Sequence, residues 1–450
     1  MGTGITNSEG IPLTRYVTYA ELQAPVAFDD ATDLHLMASE IMRQWPMVES
    51  DSPSAPPFAH LAPAADKPKK WCLTRSHGEV APKIWNAVDA ICDLISEMAW
   101  ERLRSDPELL CLHAAAVAFG ERLVVFPNAR RAGKSTLSTL LARLGLPLFT
   151  DDFLPVDVRR PGHEAGASRI EGIANGIAPR LRLPVPENFS SELKDWVHGA
   201  PGRANARYKY LTDLPIAPGR SRLPIGAIVV LDRKADPTPP ALEVAESGEV
   251  MTALIRQNFS RDQHAGRILK AAEAVVRHAP LYRLVYSSAE EAANFLKDHH
   301  LLQDLPAPEL PSTSAQDQGD GVDNNVKNAP TYHLPDADPF DPVALYSQAP
   351  GLSETSLDGA HFLADGSGHA IHQLNPGSQA IWRILSEPAS AEDVAEILMI
   401  AFPDVDPEQI RQDSVRAMRQ FANAHLIRAH IQDAPHPEQE AQPQTGGVVS

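Results

Sequence analysis

The residues best suited to chemistry form a short run, N-A-R-R-A-G-K-S-T, at positions 128–136. A buried-strand pattern precedes it at Leu123–Phe126, and leucines recur after it at helical spacing, at Leu137, Leu140, Leu141 and Leu144. A loop between a strand and the first turn of a helix directs backbone N–H groups at one point and binds phosphate there. Lys134 would reach the terminal phosphates, and the Ser135 hydroxyl would hold Mg²⁺. The predicted nucleotide-binding residues are Asn128, Ala129, Arg130, Arg131, Ala132, Gly133, Lys134, Ser135 and Thr136.

The run matches the P-loop pattern G-x-x-x-x-G-K-S/T except at its first position, where Asn128 replaces glycine. Asparagine tolerates a left-handed backbone better than most residues, so we expect the loop to form nevertheless. Arg130 and Arg131 lie inside the loop, but such a loop acts through its backbone, and their side chains need not touch phosphate. A chance Gly-Lys-Ser at a helix start is the alternative, and the flanking strand and helix patterns disfavour it.

Two adjacent carboxylates, Asp151 and Asp152, follow the next apolar run, and His113 precedes the loop in an alanine-rich stretch. Phosphoryl transfer needs positioning and charge neutralisation more than covalent catalysis. One carboxylate would accept the proton of an attacking hydroxyl, and the other would bind the metal. Successive side chains of a strand face opposite ways, so both can serve one site only at a strand end. Taken singly, His113 fits a core histidine and the aspartates a turn or helix cap, but together with the loop they favour catalysis.

The order of histidine, P-loop and Asp-Asp resembles the catalytic core of HPr kinase/phosphorylase and its bacterial relatives. The resemblance is strong over about 110–158 and fades towards about 299. It implies an α/β P-loop kinase core that uses ATP and Mg²⁺. It also implies that Asp152 is the general base, that Asp151 and Ser135 bind the metal, and that His113 tunes the base.

Two arginines further along, Arg180 and Arg182, fall on one face of a predicted extended segment from Ile177 to Leu183. Paired guanidinium groups suit phosphate oxygens, so both are predicted nucleotide contacts. Arg207 and Lys209 form a weaker pair of the same kind. For both pairs an ordinary solvated surface is an equally good interpretation.

The carboxy-terminal part has its own pattern. Alternating stretches at 361–364 and 370–374 flank Asp365-Gly-Ser-Gly368 and predict a β-hairpin. Three helical patterns follow, and Ser390 with Asp393 predicts a capping box at the second helix. A short apolar strand pattern closes the segment at 424–430. The sequence therefore predicts a small α+β domain.

This order, with Leu374-Asn-x-x-x-x-x-Ile-Trp382 after the hairpin, is similar to the PqqD family of winged-helix-like peptide chaperones. The resemblance implies that a leader peptide of a ribosomally made, modified peptide adds as a strand to an exposed sheet edge and lies against the third helix. The peptide-binding residues it implies are Phe362, Ile371, Arg411, Val415, Met418 and Arg419. A DNA-binding winged helix is the alternative, because the third helix carries Arg411, Arg416 and Arg419, but the acidic chain disfavours it.

Composition bounds the partners. The 450 residues suggest two or three domains, and 40 basic against 58 acidic residues give a net charge of −18, which argues against nucleic acid and anionic membranes. The three cysteines Cys72, Cys92 and Cys111 have no metal-ligand spacing and are expected as thiols in a reducing cytoplasm. The sequence has neither a signal-like amino terminus nor an apolar run of about 18 residues, so we expect a cytoplasmic protein without a membrane partner.

The predicted organisation is an amino-terminal lobe at 1–105, a kinase-like domain at 106–300, a flexible linker at 301–345, a peptide-binding domain at 350–432 and a disordered tail at 433–450. The linker and tail lack the apolar residues needed for a core. Within the lobe, 84–103 predicts an amphipathic helix, whereas the Pro/Ala-rich 50–70 predicts a loop.

Three functional hypotheses follow. In the first, the chain is an ATP-dependent kinase that phosphorylates a hydroxyl, with serine preferred, on a precursor peptide captured by the carboxy-terminal domain. Tailoring enzymes would then be further partners, and the sequence leaves homo-oligomer formation open. In the second, Asn128 marks a decayed site, and the chain is a non-catalytic nucleotide-binding scaffold. In the third, it is an HPr-type serine kinase of carbohydrate regulation. The joint presence of His113, Lys134, Ser135, Asp151 and Asp152 favours an enzyme.

Overall fold

The computed structural model describes residues 14–65, 67–77, 81–128, 132–159, 170–259, 263–303 and 339–430. The chain divides into two compact units, each described by itself below. The first comprises Met1–Asp323 with Thr355–Ala360, and the second comprises Asn324–Glu354 with His361–Ser450. Most of the predicted linker, at 304–338, and the predicted tail lie outside the described residues.

The first unit begins with a six-stranded sheet in the order β3-β1-β2-β4-β5-β6. Its strands are β1 (Thr14–Tyr19), β2 (Val26–Asp29), β3 (Met47–Ser50), β4 (Ala59–Pro63), β5 (Trp71–Arg75) and β6 (Lys83–Trp85), with helices α1 (Thr32–Ile41) and α2 (Ala87–Ser105). The prediction of a loop at 50–70 is wrong in part, because this segment contains β4, whose Ala59 and Leu61 are fully buried. The strand is short and lies among prolines, so its alternating pattern was not recognised in the sequence.

Helix α2 begins three residues later than predicted, because 83–85 belong to β6. The side chain of Asn86 accepts a hydrogen bond from the Asp89 N–H at 3.0 Å and caps the helix. The predicted apolar stripe is confirmed, since Val88, Ile91, Ile95 and Met98 are all buried.

A nine-stranded sheet forms the centre of the first unit. Its path is β10-β8-β9-β16-β12-β11-β7, and β18 lies between β16 and β17. The strands from β7 onwards are β7 (Leu110–Leu112), β8 (Ala115–Phe119), β9 (Arg122–Phe126), β10 (Leu148–Thr150), β11 (Leu154–Asp157), β12 (Glu171–Ile173), β13 (Arg180–Arg182), β14 (Gly202–Ala204), β15 (Tyr208–Leu211), β16 (Arg222–Arg233), β17 (Ala241–Val244) and β18 (Leu281–Tyr286). Strands β13, β15 and β14 form a separate three-stranded sheet in that order.

The helices of this region are α3 (Lys134–Arg143), α4 (Ser191–Gly199), α5 (Ser247–Arg256), α6 (Ala265–His278), α7 (Ala289–Lys297) and α8 (His300–Gln303). The strand and helix predicted around the phosphate loop are confirmed as β9 and α3. Strand β9 runs parallel to β16, and β16 runs parallel to β18. The mixed α/β class is thus confirmed.

The alanine-rich stretch that contains His113 is not one continuous strand. His113 lies in the break between β7 and β8, and these two strands pair with different neighbours. Strand β7 pairs with β11, whereas β8 pairs with β9 and β10. The break therefore places His113 at a junction of the sheet instead of within its hydrogen-bonded ladder.

Two hydrophobic clusters support the first unit. One surrounds the amino-terminal sheet and α2, and it also includes Cys111, Phe153 and Tyr210. The other surrounds α3 and includes Leu181 and Phe189. Residues on both sides of position 105 therefore share one core.

The second unit contains β19 (Tyr346–Gln348), β22 (Ile371–Leu374), β23 (Ile427–Ala429), α9 (Pro376–Ile384), α10 (Ala391–Ala401) and α11 (Pro407–Asn423). Strands β20 (Ser353–Leu357) and β21 (Ala360–Ala364) each have residues in both units. Strand β23 pairs with β19, a strand that the sequence analysis did not identify.

The predicted hairpin is confirmed by the antiparallel pairing of β21 with β22. In its turn, the Asp365 carboxylate accepts hydrogen bonds from the N–H groups of His369 and Ala370 at 2.8 and 3.1 Å. The capping box of Ser390 and Asp393 is also confirmed at the start of α10. Across the described ranges, no helix combines the length and apolarity needed to cross a membrane.

Candidate functional site

Helix α3 begins at a tight turn. Gly133 caps the helix in a left-handed conformation with a φ of 100°. A Cβ at this position would lie 2.6 Å from the Tyr286 hydroxyl oxygen, and that hydroxyl donates to the Ala132 carbonyl at 3.2 Å. Glycine is therefore required both for the turn and for space. Lys134 is buried, and its Nζ donates to the Asn128 carbonyl. The predicted loop residues Ala129, Arg130 and Arg131 lie outside the described residues.

Asn128 fixes the beginning of this loop through its side chain. Its Nδ2 donates to the Leu231 carbonyl at 3.0 Å, and its Oδ1 accepts from the Leu231 N–H at 2.7 Å. Asn128 is not among the described non-glycine residues with positive φ. It therefore does not use the left-handed backbone that asparagine tolerates. Asparagine at the first glycine position instead joins the loop to the backbone of the neighbouring strand β16.

Asp151 and Asp152 follow the end of β10 and point in different directions. The Asp151 carboxylate is buried and accepts a hydrogen bond from the backbone N–H of Arg180 at 3.0 Å. Ser135 Oγ lies 3.4 Å from the backbone carbonyl oxygen of Asp151. The Asp152 carboxylate lies 3.1 Å from His113 Nδ1 and 3.5 Å from Arg180 Nη2. The strand end thus brings Asp151 towards Ser135 and Asp152 towards His113.

The two carboxylates also differ in acidity. Burial, together with the charge of Asp152, raises the pKa of Asp151 to about 6. Burial acts in the same direction on Asp152, but its contact with His113 and the charges of Arg180 and Lys134 outweigh it and lower the pKa of Asp152 to about 2. Asp152 is therefore anionic throughout the physiological pH range.

His113 is held from behind by the segment that follows α5. The His113 N–H donates to the Gln257 carbonyl at 2.6 Å, and the Phe259 N–H donates to the Cys111 carbonyl at 2.8 Å. The Phe259 ring meets the His113 ring edge-to-face at a centroid distance of 5.7 Å. The sequence analysis did not identify this segment, and no motif marks it.

The predicted arginines lie on β13, opposite tyrosines of β15. Arg180 pairs with Tyr210 and Arg182 with Tyr208 in the strand register. The Arg180 guanidinium carbon lies 4.9 Å from the centre of the Tyr208 ring. Lys209, from the weaker predicted pair, points elsewhere and donates to the His198 carbonyl at 2.9 Å.

These residues surround one cleft of about 940 Å³. Its predicted lining residues are His113, Gly133, Lys134, Ser135, Thr136, Asp152, Arg180 and Arg182. Its unpredicted lining residues include Trp100, Tyr208, Arg233, Arg256 and Phe259. Asp151 lines a small adjoining cavity with Asp152 and Arg180. The start of α3, the Asp152–His113 pair and both predicted arginines therefore meet at one site.

The cleft is electropositive although the chain carries a net charge of −18. Its basic lining residues are Lys134, Arg180, Arg182, Arg233 and Arg256, and its acidic lining residue is Asp152. Arg180 contacts that carboxylate, whereas Arg182, Arg233 and Arg256 form no ion pair within the described part of the chain. Such a field favours an anionic ligand with several charges.

Two of the predicted peptide contacts in the second unit need correction. Phe362 is 1% exposed and Met418 is 0% exposed, so both are core residues that no peptide reaches in this conformation. Ile371 and Val415 are partly exposed. Arg411 is exposed and pairs with Glu392 at 3.0 Å, and the Arg419 guanidinium lies over the Phe340 ring at 5.7 Å. Apolar residues at helical spacing on α11 mark its core side, which explains the misplacement of Met418.

Comparison with known proteins identifies the second unit more clearly than the first. Residues 360–427 match the model of the family described as coenzyme PQQ synthesis protein D (PqqD), so the chain carries a PqqD domain. Among solved structures, the Hpr(Ser) kinase/phosphatase from Coxiella burnetii is similar, with 12% identity and a TM-score of 0.21, over 42% of this chain and 96% of that chain. No curated protein matches this chain.

Proposed function

We propose that the chain is an ATP-dependent kinase that phosphorylates a hydroxyl, with serine preferred, on a ribosomally made precursor peptide. The observation that carries the proposal is the cleft in which Lys134 and Ser135 open α3 beside the Asp152–His113 pair. A phosphate-binding helix start and a positioned carboxylate are the two parts that phosphoryl transfer requires. The PqqD domain supports a peptide as the acceptor.

The residues at the start of α3 suit a nucleotide with its metal. Gly133 forms the left-handed turn that begins α3 and lines the cleft, and Lys134 supplies a buried positive charge at the helix N-terminus. The Ser135 hydroxyl lies close to Asp151, which gives the oxygen ligands that Mg²⁺ prefers. Bound Mg²⁺ would neutralise charge on the β- and γ-phosphates of ATP. Arg182, which lines the same cleft, would contact phosphate oxygens.

Asp152 is the proposed acceptor of the hydroxyl proton. In the transfer step, the substrate oxygen forms a bond to the γ-phosphorus, the bond from that phosphorus to the bridging oxygen breaks, and ADP leaves. The hydroxyl proton passes to an Asp152 carboxylate oxygen. His113 and Arg180 hold this carboxylate from two sides, which favours a fixed orientation. In a loose transition state, orienting the attacking oxygen matters more than the strength of the base.

The PqqD domain is proposed to hold the leader segment of the same peptide. Strand β22 is an edge strand that pairs with β21 on one side, so a peptide strand would add to its other side. Ile371 on this strand and Val415 on α11 are the partly exposed apolar contacts. Arg411 and Arg419 on α11 would contribute polar contacts. Binding the leader on the same chain would raise the effective concentration of the acceptor at the cleft.

The structure weakens the argument for a decayed, non-catalytic scaffold. That hypothesis rested on the loss of glycine at position 128, but Asn128 makes two hydrogen bonds that hold the loop start. A residue with a defined role in the fold is poor support for decay.

The experiment is to incubate the full chain with Mg²⁺, ATP and a candidate precursor, and to follow the peptide by mass spectrometry. Candidates are short peptides with a leader segment encoded beside this chain. We expect one added phosphoryl group on a hydroxyl residue, dependent on Lys134. Stable binding of both ATP and peptide without any transfer would contradict the proposal and support a scaffold.

A further inference from the structure

We propose that the cleft contains a separate acceptor subsite, formed by Trp100, Phe259 and Arg256. It would select peptides with an apolar or aromatic side chain and a carboxylate close to the accepting hydroxyl. This inference rests on the proposed kinase function and adds the chemistry of the segment that is modified. None of these three residues belongs to the phosphate loop or to the predicted arginine pair.

The two sides of the cleft are built from different parts of the core. Leu181 and Phe189 on one side belong to the hydrophobic cluster around α3 and the phosphate loop. Trp100 and Phe259 on the other side pack against the cluster around α2 and the amino-terminal sheet. His113 contacts this second side through Phe259. Because Asp152 and His113 must face the attacking hydroxyl, the wall beside them contacts the acceptor and not the nucleoside.

The aromatic part of this wall is continuous with the catalytic pair. The rings of Trp100 and Phe259 meet edge-to-face at 6.4 Å, and Phe259 meets His113 at 5.7 Å. Trp100 and Phe259 remain partly exposed in the cleft instead of being fully buried. An extended peptide advances about 3.3 Å per residue, so the row fits side chains within about four residues of the hydroxyl. Apolar and aromatic side chains gain most from such a surface.

Arg256 supplies the charge on this wall. It lies in the last turn of α5, directly before Gln257, whose carbonyl binds the His113 N–H. Its side chain is exposed, lines the cleft and forms no ion pair with any described residue. A favourable interaction with the helix carboxyl end explains an arginine there in general, but its place in the cleft beside the aromatic row gives it access to substrate. A peptide carboxylate is the planar anion that a guanidinium binds best.

The test is a charge reversal in the full chain with two leaderless peptides that differ only by Glu or Lys near the serine. For the unmodified chain we expect kcat/KM to favour the Glu peptide about tenfold, as for one charge-assisted hydrogen bond. Arg256→Glu should invert this preference, and Arg256→Gln should abolish it. Arg43→Glu is the matched control, because Arg43 is exposed but does not line the cleft. Trp100→Leu should lower kcat/KM for peptides with an aromatic neighbour and leave ATP affinity unchanged.

An unchanged Glu-to-Lys ratio in Arg256→Glu would overturn the inference, even if the chain is an active kinase. A change in ATP affinity with an unchanged peptide ratio would overturn it too, because the wall would then bind the nucleoside. If the chain transfers no phosphate, the same ratio is read from peptide dissociation constants measured with a non-hydrolysable ATP analogue. In that case the kinase function fails, and the acceptor subsite is still decided by the ratio.

Discussion

The cleft of the first unit and the PqqD domain of the second differ in whether their charged residues are buried or exposed. At the cleft, Lys134 is buried, Asp151 is buried beside the small adjoining cavity, and Asp152 is held between His113 and Arg180. In the PqqD domain, the charged residues of α11 are exposed, as in the Arg411–Glu392 pair, and the core is apolar around Trp382 and Phe421. Buried, mutually oriented charges suit chemistry, whereas an open edge and an apolar helix face suit binding. Changes in the first region should therefore act on kcat, and changes in the second on KM.

The largest expected effect comes from Lys134→Ala. Removing the buried charge at the start of α3 should abolish transfer and weaken ATP binding, because in the proposed complex this charge faces the terminal phosphates. Calorimetry for ATP and a phosphorylation assay measure the two effects. Lys194→Ala is the control, since Lys194 is a partly exposed residue of α4 outside the cleft. Equal ATP affinity in the variant and the unmodified chain would contradict the nucleotide site.

A smaller and different effect is expected from paired changes on the PqqD surface, Ile371→Glu with Val415→Glu. The added charges should oppose an apolar leader segment and raise KM for a full-length precursor by about 10²-fold, within the range that tethering contributes. The kcat/KM for a leaderless peptide should stay the same. Gln420→Glu adds a charge on another face of α11 and should have no effect. If the doubly substituted chain and the unmodified chain have the same KM for the full-length precursor, the leader binds elsewhere.

The smallest effect is expected from Asn128→Gly, which restores the P-loop pattern. It removes two hydrogen bonds to Leu231, and we expect a loss of about 1–3 kcal/mol in the free energy of unfolding. Denaturant titration measures this loss. Asn128→Asp keeps the acceptor for the Leu231 N–H and should lose less. If Asn128→Gly is as stable as the unmodified chain, the two hydrogen bonds of the Asn128 side chain do not stabilise the fold.

The contrast between the regions also explains what the sequence predicted. Strand β9 and helix α3 could be predicted because a local pattern encodes them, and the capping box of α10 for the same reason. Arg256 and Phe259 could not be predicted, because non-local backbone contacts bring them to His113. Asn128 was recognised as a departure, but its role depends on a strand about one hundred residues later. Met418 was misplaced because an apolar stripe on a helix does not distinguish a groove from a core.

The most direct test of the central claim is the comparison of Asp152→Asn with the unmodified chain in ATP affinity and in phosphorylation of the precursor. The substitution keeps the shape of the side chain but removes the negative charge that orients the hydroxyl and accepts its proton. We predict unchanged or slightly tighter ATP binding and a loss of kcat by about two to four orders of magnitude. A fully active Asp152→Asn variant would contradict the account and leave the Asp152–His113 pair a structural contact.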